Sequence, residues 1–220
     1  MIISPGRNYV FVHIPKTGGS SLATALEGRA MRDDILIGDT PKARKRRGRL
    51  KDLAPAGRLW KHSTLADIDG IMPSDWMQNA LVFTLVRNPW DRLVSYYHWL
   101  RAQSFDHPAV TAARDVGFDA FLARPDIQAS IRANPYTRYV YQPPPARAPL
   151  FIRLEQFSKD AAPLWEHLGF ELDLPRVNTS ERAADYTQYY DDTTRGIVES
   201  ICAEDIARFG YRYGSSLRKQ

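Results

Sequence analysis

The sequence predicts an α/β protein: a single P-loop-like domain with a central parallel β-sheet flanked by helices. Three observations carry this prediction. Short apolar stretches at residues 9–14 (YVFVHI), 79–86 (NALVFTLV) and 150–155 (LFIRLE) read as buried strands. Each is followed by a helical pattern, the alternation that builds a parallel sheet. A glycine-rich turn, HIPKTGGSS over residues 13–21, joins the first strand to its helix. The 220 residues suffice for one such domain over 1–220, with irregular segments around 29–58 and 104–148.

The elements follow in order. Pro15 ends the first strand because it cannot donate to a sheet ladder. Gly18 and Gly19 permit a tight turn, and SSLATAL (20–26) starts a helix with Ser20 or Ser21 as its cap. RLWKH (58–62) is a candidate short strand, and STLADI (63–68) a short helix capped by Ser63. After the second strand, Pro89 suits the first turn of a helix and Asn88 its cap; Leu93, Tyr96, Tyr97 and Leu100 recur at helical spacing. FDAFLAR (118–124) reads as a short helix and QPPPARAP (142–149) as a loop. The third strand leads to a helix over 157–170, with Pro163 near its start. VNTSER (177–182) is a loop, and residues 191–211 form a closing helix ending before Gly210. There is no internal repeat and no interdomain linker.

Composition narrows the function classes. With 44% apolar and 25% charged residues the chain has a globular balance. No apolar run approaches the roughly 20 residues that span a bilayer, and the first residues lack the features of a signal peptide. The single cysteine, Cys202, excludes an internal disulfide, and no metal-ligand cluster is present. These features predict a cytoplasmic protein with no transmembrane segment and no metal. Net charge is +5, yet KARKRRGRLK (42–51) alone holds seven basic residues and no acidic one. The rest of the chain is therefore mildly acidic, so the basic character is local and not a general nucleic-acid-binding surface. The run itself reads as a solvated, mobile loop.

Two constellations carry chemistry. In the first, the backbone N–H groups of a glycine turn and the dipole of the following helix attract an anion. Lys16 adds a full charge; Thr17, Ser20 and Ser21 add hydroxyl donors around Gly18 and Gly19. Read alone, the same residues also describe a plain strand-to-helix turn with a solvated lysine. The order GxxxxGK[ST] occurs nowhere, and no strand ends in a clear metal-binding aspartate. Both absences count against a P-loop kinase or nucleotide hydrolase. In the second, a buried strand delivers Arg87 at its carboxyl end and Ser95 lies eight residues on, in the following helix. A guanidinium clasps phosphate bidentately and a serine hydroxyl completes the shell. Alone, this pair reads equally as a sheet-end arginine and a small packing residue.

Taken together, HIPKTGGSSL and LVRNPWDRLVSYY resemble the two cofactor motifs of sulfotransferases that use 3′-phosphoadenosine 5′-phosphosulfate (PAPS), most closely the carbohydrate-type enzymes and their bacterial relatives. Residues 176–211 resemble the closing segment of the bacterial members, whereas 29–58 and 104–148 fit poorly. The resemblance implies that the first loop holds the 5′-phosphosulfate, with Lys16 at the oxygen bridging sulfur and phosphate. It also implies that Arg87 and Ser95 hold the 3′-phosphate. The reaction is then transfer of a sulfuryl group to a hydroxyl of a carbohydrate or glycolipid, without metal. The poorly matched segments would lie on the acceptor side.

The acceptor hydroxyl must lose a proton, a task suited to histidine. Of His13, His62, His98, His107 and His167, the choice falls on His62. It lies between the two motifs, as a candidate base does in some relatives. Other members use a glutamate, which leaves Glu27 and Glu155 open. Lys61 is a second candidate charge near the sulfuryl group. Asn178, Ser180 and Arg182 fall in a segment resembling one near the cofactor. Trp90 and Tyr96 are candidates for stacking on adenine, though aromatic side chains in such a helix more often form core. The basic run has a functional reading too, as an arm for an acidic glycan or the anionic head of a glycolipid. A non-enzymatic polyanion-binding protein is the remaining alternative.

Overall fold

Strand β2 (Tyr9–Val12) runs parallel to β4 (Leu81–Val86), and β4 parallel to β5 (Leu150–Arg153), in the computed structural model of the chain. The structure describes residues 1–174 and 182–215. All three predicted strands are present. Two more were missed: β1 (Ile2–Ser4), antiparallel to β2, and β3 (Ile35–Leu36), antiparallel to β1. The sheet order is β3-β1-β2-β4-β5. Its centre, β2-β4-β5, is parallel as expected, and β1 and β3 extend it antiparallel at one edge, so the sheet as a whole is mixed. A tight turn at residues 5–8 causes this: Asn8, at φ 51, sends the chain straight back, and a return that short permits only antiparallel pairing.

The described residues divide into two compact units, one from residues 1–86 and 137–174, the other from residues 87–136 and 182–215. In the first, strand register puts Tyr9, Phe11, Leu81, Phe83, Leu85 and Ile152 into one core with Leu22, Ala23 and Leu26 of helix α1 (Gly19–Gly28). The alternate residues Val10, Val12, Val82 and Val86 are buried as well. Near-continuous apolar runs of this kind belong to strands covered on both faces.

The basic run is not a mobile loop. Residues 41–46 form helix α2 (Pro41–Arg46), followed by a 3-10 turn (Arg47–Leu50). Pro41 starts the helix and the Thr40 hydroxyl caps it, accepting from Ala43 N at 3.1 Å. Lys42 donates to the Glu27 carbonyl, Arg46 to those of Met31 and Asp34, and Arg49 to that of Arg32. Like charges that repel in an isolated helix are fixed here by neighbouring carbonyls. RLWKH is a turn, not a strand, and STLADI yields only a 3-10 turn at Ala66–Ile68. Helix α3 (Ser74–Asn79) precedes β4.

The second unit is helical: α4 (Pro89–Arg101), α5 (Pro108–Asp115), α6 (Phe118–Ala123) and α7 (Pro125–Arg132). Thus 104–132, expected to be largely irregular, is mostly helix. A short α8 (Tyr136–Tyr139) stands at the division between units, and α9 (Phe157–Asp160) and α10 (Ala162–Leu168) return the chain to the first. The closing helix breaks at Cys202 into α11 (Asp192–Ile201) and α12 (Ala203–Phe209), and Gly210, at φ 65, stops it as expected. Trp90, Leu93, Val94, Tyr97, Phe121 and Val198 build this unit's core. Among the described residues no helix is long and apolar enough to cross a membrane.

Candidate active site

The loop after β2 is built to expose backbone. Lys16, at φ 64, and Gly18, at φ 87, both adopt the left-handed conformation, which strains a lysine and suits a glycine. The Thr17 side chain is buried and its hydroxyl donates to Ile14 O at 2.9 Å. That hydroxyl therefore holds the loop's shape and is not the outward donor expected from sequence. Gly18, not Ser20 or Ser21, is the N-cap of α1, and no side chain caps the helix. Its first N–H groups and the dipole they terminate thus have no acceptor from a capping side chain. Ser20 and Ser21 lie half-buried in the first turn. Close packing sets the second glycine: a Cβ at Gly19 would meet His13 Cδ2 at 2.2 Å.

His13 links this loop to His62. The two rings meet edge to face, centroids 4.7 Å apart, and His62 Nδ1 donates to the His13 carbonyl at 2.7 Å. A carbonyl only accepts, so Nδ1 carries the hydrogen, and neutral His62 presents Nε2 as a lone pair. Removal from water pushes His62 down to about 3, against the hydrogen bond to His13; nearby Lys61 lowers it further. Burial holds His13 well below the usual histidine range, with His62 adding to the effect. Both rings are neutral at pH 7. Lys61 pairs with Asp39 at 2.7 Å.

The other candidate bases have structural partners. His98 bonds Val94 O, His107 caps α5 by accepting from Ala109 N, and His167 bonds Arg7 O. Glu27 is buried and accepts from the Thr40 hydroxyl at 2.5 Å. Glu155 lies in the 3-10 turn after β5. A cavity of about 680 Å³ beside α9 and α10, lined by Phe157, Trp165 and Phe170 among others, includes none of the candidate residues. Among the described residues no cluster of ligands suits a metal ion.

In the second unit, Arg87 lies at the mouth of α4. Its Nε and Nη2 donate to Asp91 Oδ2 at 2.8 and 2.6 Å, and Arg182 Nη2 donates to Asp91 Oδ1 at 2.6 Å. One buried carboxylate thus fixes two guanidiniums and leaves the trio with a net positive charge. Asp91 went unnoticed in the sequence; its signal was an opposite charge one helical turn after Arg87. Ser95 is a further turn along, buried. Asn88 caps α4 as expected, accepting from Trp90 N at 3.1 Å. Its amide group donates to Arg212 O at 3.1 Å. Trp90 is core, with its indole N–H on Arg195 O, and Tyr96 packs on the same core, stacked on Trp99. Trp90 is therefore not placed to stack on a nucleotide. Asn178 and Ser180 lie outside the described residues.

The chain matches the sulfotransferase family over residues 1–212. No curated protein matches it. Among solved structures, mouse sulfotransferase SULT7A1 complexed with PAP is similar at 16% identity, covering 93% of this chain and 85% of that one, with a TM-score of 0.45. With the match extending over nearly its whole length, the chain belongs to the sulfotransferase family, the PAPS-dependent enzymes whose two cofactor motifs its own resemble.

Proposed function

We propose that the protein transfers the sulfuryl group of PAPS to a hydroxyl of a carbohydrate or glycolipid by in-line displacement. The observation that carries this reading is the loop after β2: a glycine-capped helix start, without a side-chain cap, next to a lysine and a neutral histidine pair. Its donors fit a phosphosulfate, because residues 13–21 contain no acidic side chain. The arginine pair on Asp91 fits a phosphate in the same way. PAPS supplies the sulfuryl group and leaves as its desulfated bisphosphate.

The chain's residues divide the work. The loop amides and Lys16 hold the 5′ group, and Lys16 stabilises the charge that collects on the departing phosphate oxygen as the S–O bond breaks. Charge and positioning suffice for a loose transition state of this kind. Arg87 and Ser95 hold the 3′-phosphate, with Arg182 beside them. His62 Nε2 takes the proton of the acceptor hydroxyl as its oxygen bonds to sulfur.

Calorimetric titration with 3′-phosphoadenosine 5′-phosphate (PAP) tests this. Wild type is expected to bind in the micromolar range, about −8 kcal/mol, and Arg87→Ala to lose that binding. Folded wild type that ignores this nucleotide while binding ATP would overturn the reading in favour of a P-loop kinase.

A further inference from the structure

We propose that Tyr136 is a positioning residue for the donor's 3′-phosphate: its buried hydroxyl aims Arg87, and so sets how strongly the protein prefers a nucleotide with a 3′-phosphate to one without. This rests on the reading that places Arg87 on that phosphate. Tyr136 opens α8 and is wholly buried. Its hydroxyl donates to the Arg87 carbonyl at 2.6 Å. Arg87 is the first residue past β4, whose last ladder pair joins Val86 to Arg153. The ladder stops just before that carbonyl, and the tyrosine supplies a donor where the sheet no longer does.

Arg87 is thus held at both ends. Asp91 takes the guanidinium at 2.8 and 2.6 Å, and Tyr136 takes the carbonyl. The carboxylate fixes where the charge lies, and the hydroxyl fixes the peptide unit from which the side chain springs. A binding group works when it is held within about 0.5 Å of its productive place. Loss of the backbone anchor would let the guanidinium fork turn about Asp91, with its charge retained and its aim lost.

Tyr136 is itself braced. Its N–H donates to Asp205 Oδ1 at 2.9 Å, the Arg92 guanidinium lies 4.8 Å from its ring centroid, and the Phe209 ring is 5.9 Å away. Asp205, on α12, is buried. Burial pushes its carboxyl up to about 6, against the bond from Tyr136 N and the pull of Arg92. A carboxylate in so dry a place is costly unless paired, and both of those offsets bear on the tyrosine. All of these residues lie in the second unit. Packing alone requires only the ring, since phenylalanine fills the same space; the bond to Arg87 accounts for the hydroxyl.

The test is calorimetric titration with PAP and with adenosine 5′-phosphate (AMP), which lacks the 3′-phosphate and is used at millimolar concentration. Wild type should prefer PAP. Tyr136→Phe should cut that preference roughly tenfold by weakening PAP, with AMP affinity unchanged. A role in packing alone would weaken both nucleotides alike or neither. Asp205→Ala, which removes the brace and keeps the hydroxyl, should lose part of the same preference, and it carries the test if Tyr136→Phe does not fold. The inference is overturned if folded Tyr136→Phe keeps the wild-type preference, if PAP and AMP weaken together, or if, with that variant unfolded, Asp205→Ala keeps the preference. Wild type that binds PAP no better than AMP would break the reading of Arg87, and the inference with it. A wild-type preference that survives in Tyr136→Phe would leave that reading standing and overturn the inference alone.

Discussion

His62 donates from Nδ1 to the backbone carbonyl of His13, and the same two rings stand edge to face. The bond fixes the tautomer and turns Nε2 into the only basic atom of His62. His62→Ala is expected to lower kcat by about 100-fold or more while leaving PAP affinity intact. Full activity in this variant would remove His62 from the mechanism.

The pH dependence of His62 has a definite sign. Its folded value, about 3, lies below the ordinary histidine value of 6.5. Between those values the unfolded chain binds a proton that the folded chain does not, so stability is lost as pH falls from 6.5 towards 3. For the same reason kcat/KM for the donor should stay flat from pH 8 to about 6 instead of dropping near 6.5. His62→Gln should flatten part of the acid limb of chemical denaturation, and His13 contributes to that limb in the same direction.

Gly19 leaves no room for a side chain. Gly19→Ala forces a methyl against the His13 ring, which is itself tied to His62. We expect a loss of about 1–3 kcal/mol in stability, read by urea unfolding, together with a fall in kcat larger than the change in PAP affinity. An unchanged kcat would show that the imidazole pair tolerates displacement.

Asp91 is the shared counter-ion of Arg87 and Arg182, whose side chains are only 11% and 9% exposed. Asp91→Asn leaves two nearly buried guanidiniums facing a neutral group. The expected cost is about 3–5 kcal/mol, a loss that Arg87→Ala, which removes one of the two charges, should not match. Equal unfolding midpoints for the two variants would argue against a shared role.

The basic run should separate into two kinds of residue. Arg46→Ala removes hydrogen bonds to the Met31 and Asp34 carbonyls and should destabilise by about 1–2 kcal/mol. Arg44→Gln with Lys45→Gln and Arg47→Gln, all exposed, should leave stability nearly unchanged and raise KM for an acidic acceptor, most strongly at low salt. A KM unmoved by the triple substitution would return these side chains to a purely solvating role.

What could be read in advance had local causes. β4 and β5 are apolar runs of the right length, Asn88 and Pro89 are a cap and a first turn, and Gly210 is a helix stop. What could not be read depends on distant partners. β3 is two residues long and exists because Ile2 and Ile3 pair with it. RLWKH reads as a short strand, but Ser63 folds its backbone back on itself. The like charges of α2 predict a loop until the carbonyls of residues 27–34 are seen beside them. At the candidate site, Lys16 and Arg87 stood out because charge after a buried strand is conspicuous. Asp91 did not, because an acidic residue in a first helical turn is ordinary, and only its two arginine partners mark it.

The division of the chain bears on how it is made. Each compact unit is completed by a segment that comes after part of the other: residues 87–136 interrupt the first, and 137–174 precede the last part of the second. On a ribosome, β4 emerges and pairs with β2 long before β5 exists, so the sheet waits with an unpaired edge while the 63 residues between β4 and β5 are synthesised. During that interval the strand carrying Leu81 to Val86 presents open N–H and C=O groups in a sequence apolar at every position but Thr84, the kind of edge to which a second nascent chain adheres. The protein's expression should therefore respond more to the speed of translation through residues 87–149 than to changes elsewhere in the message.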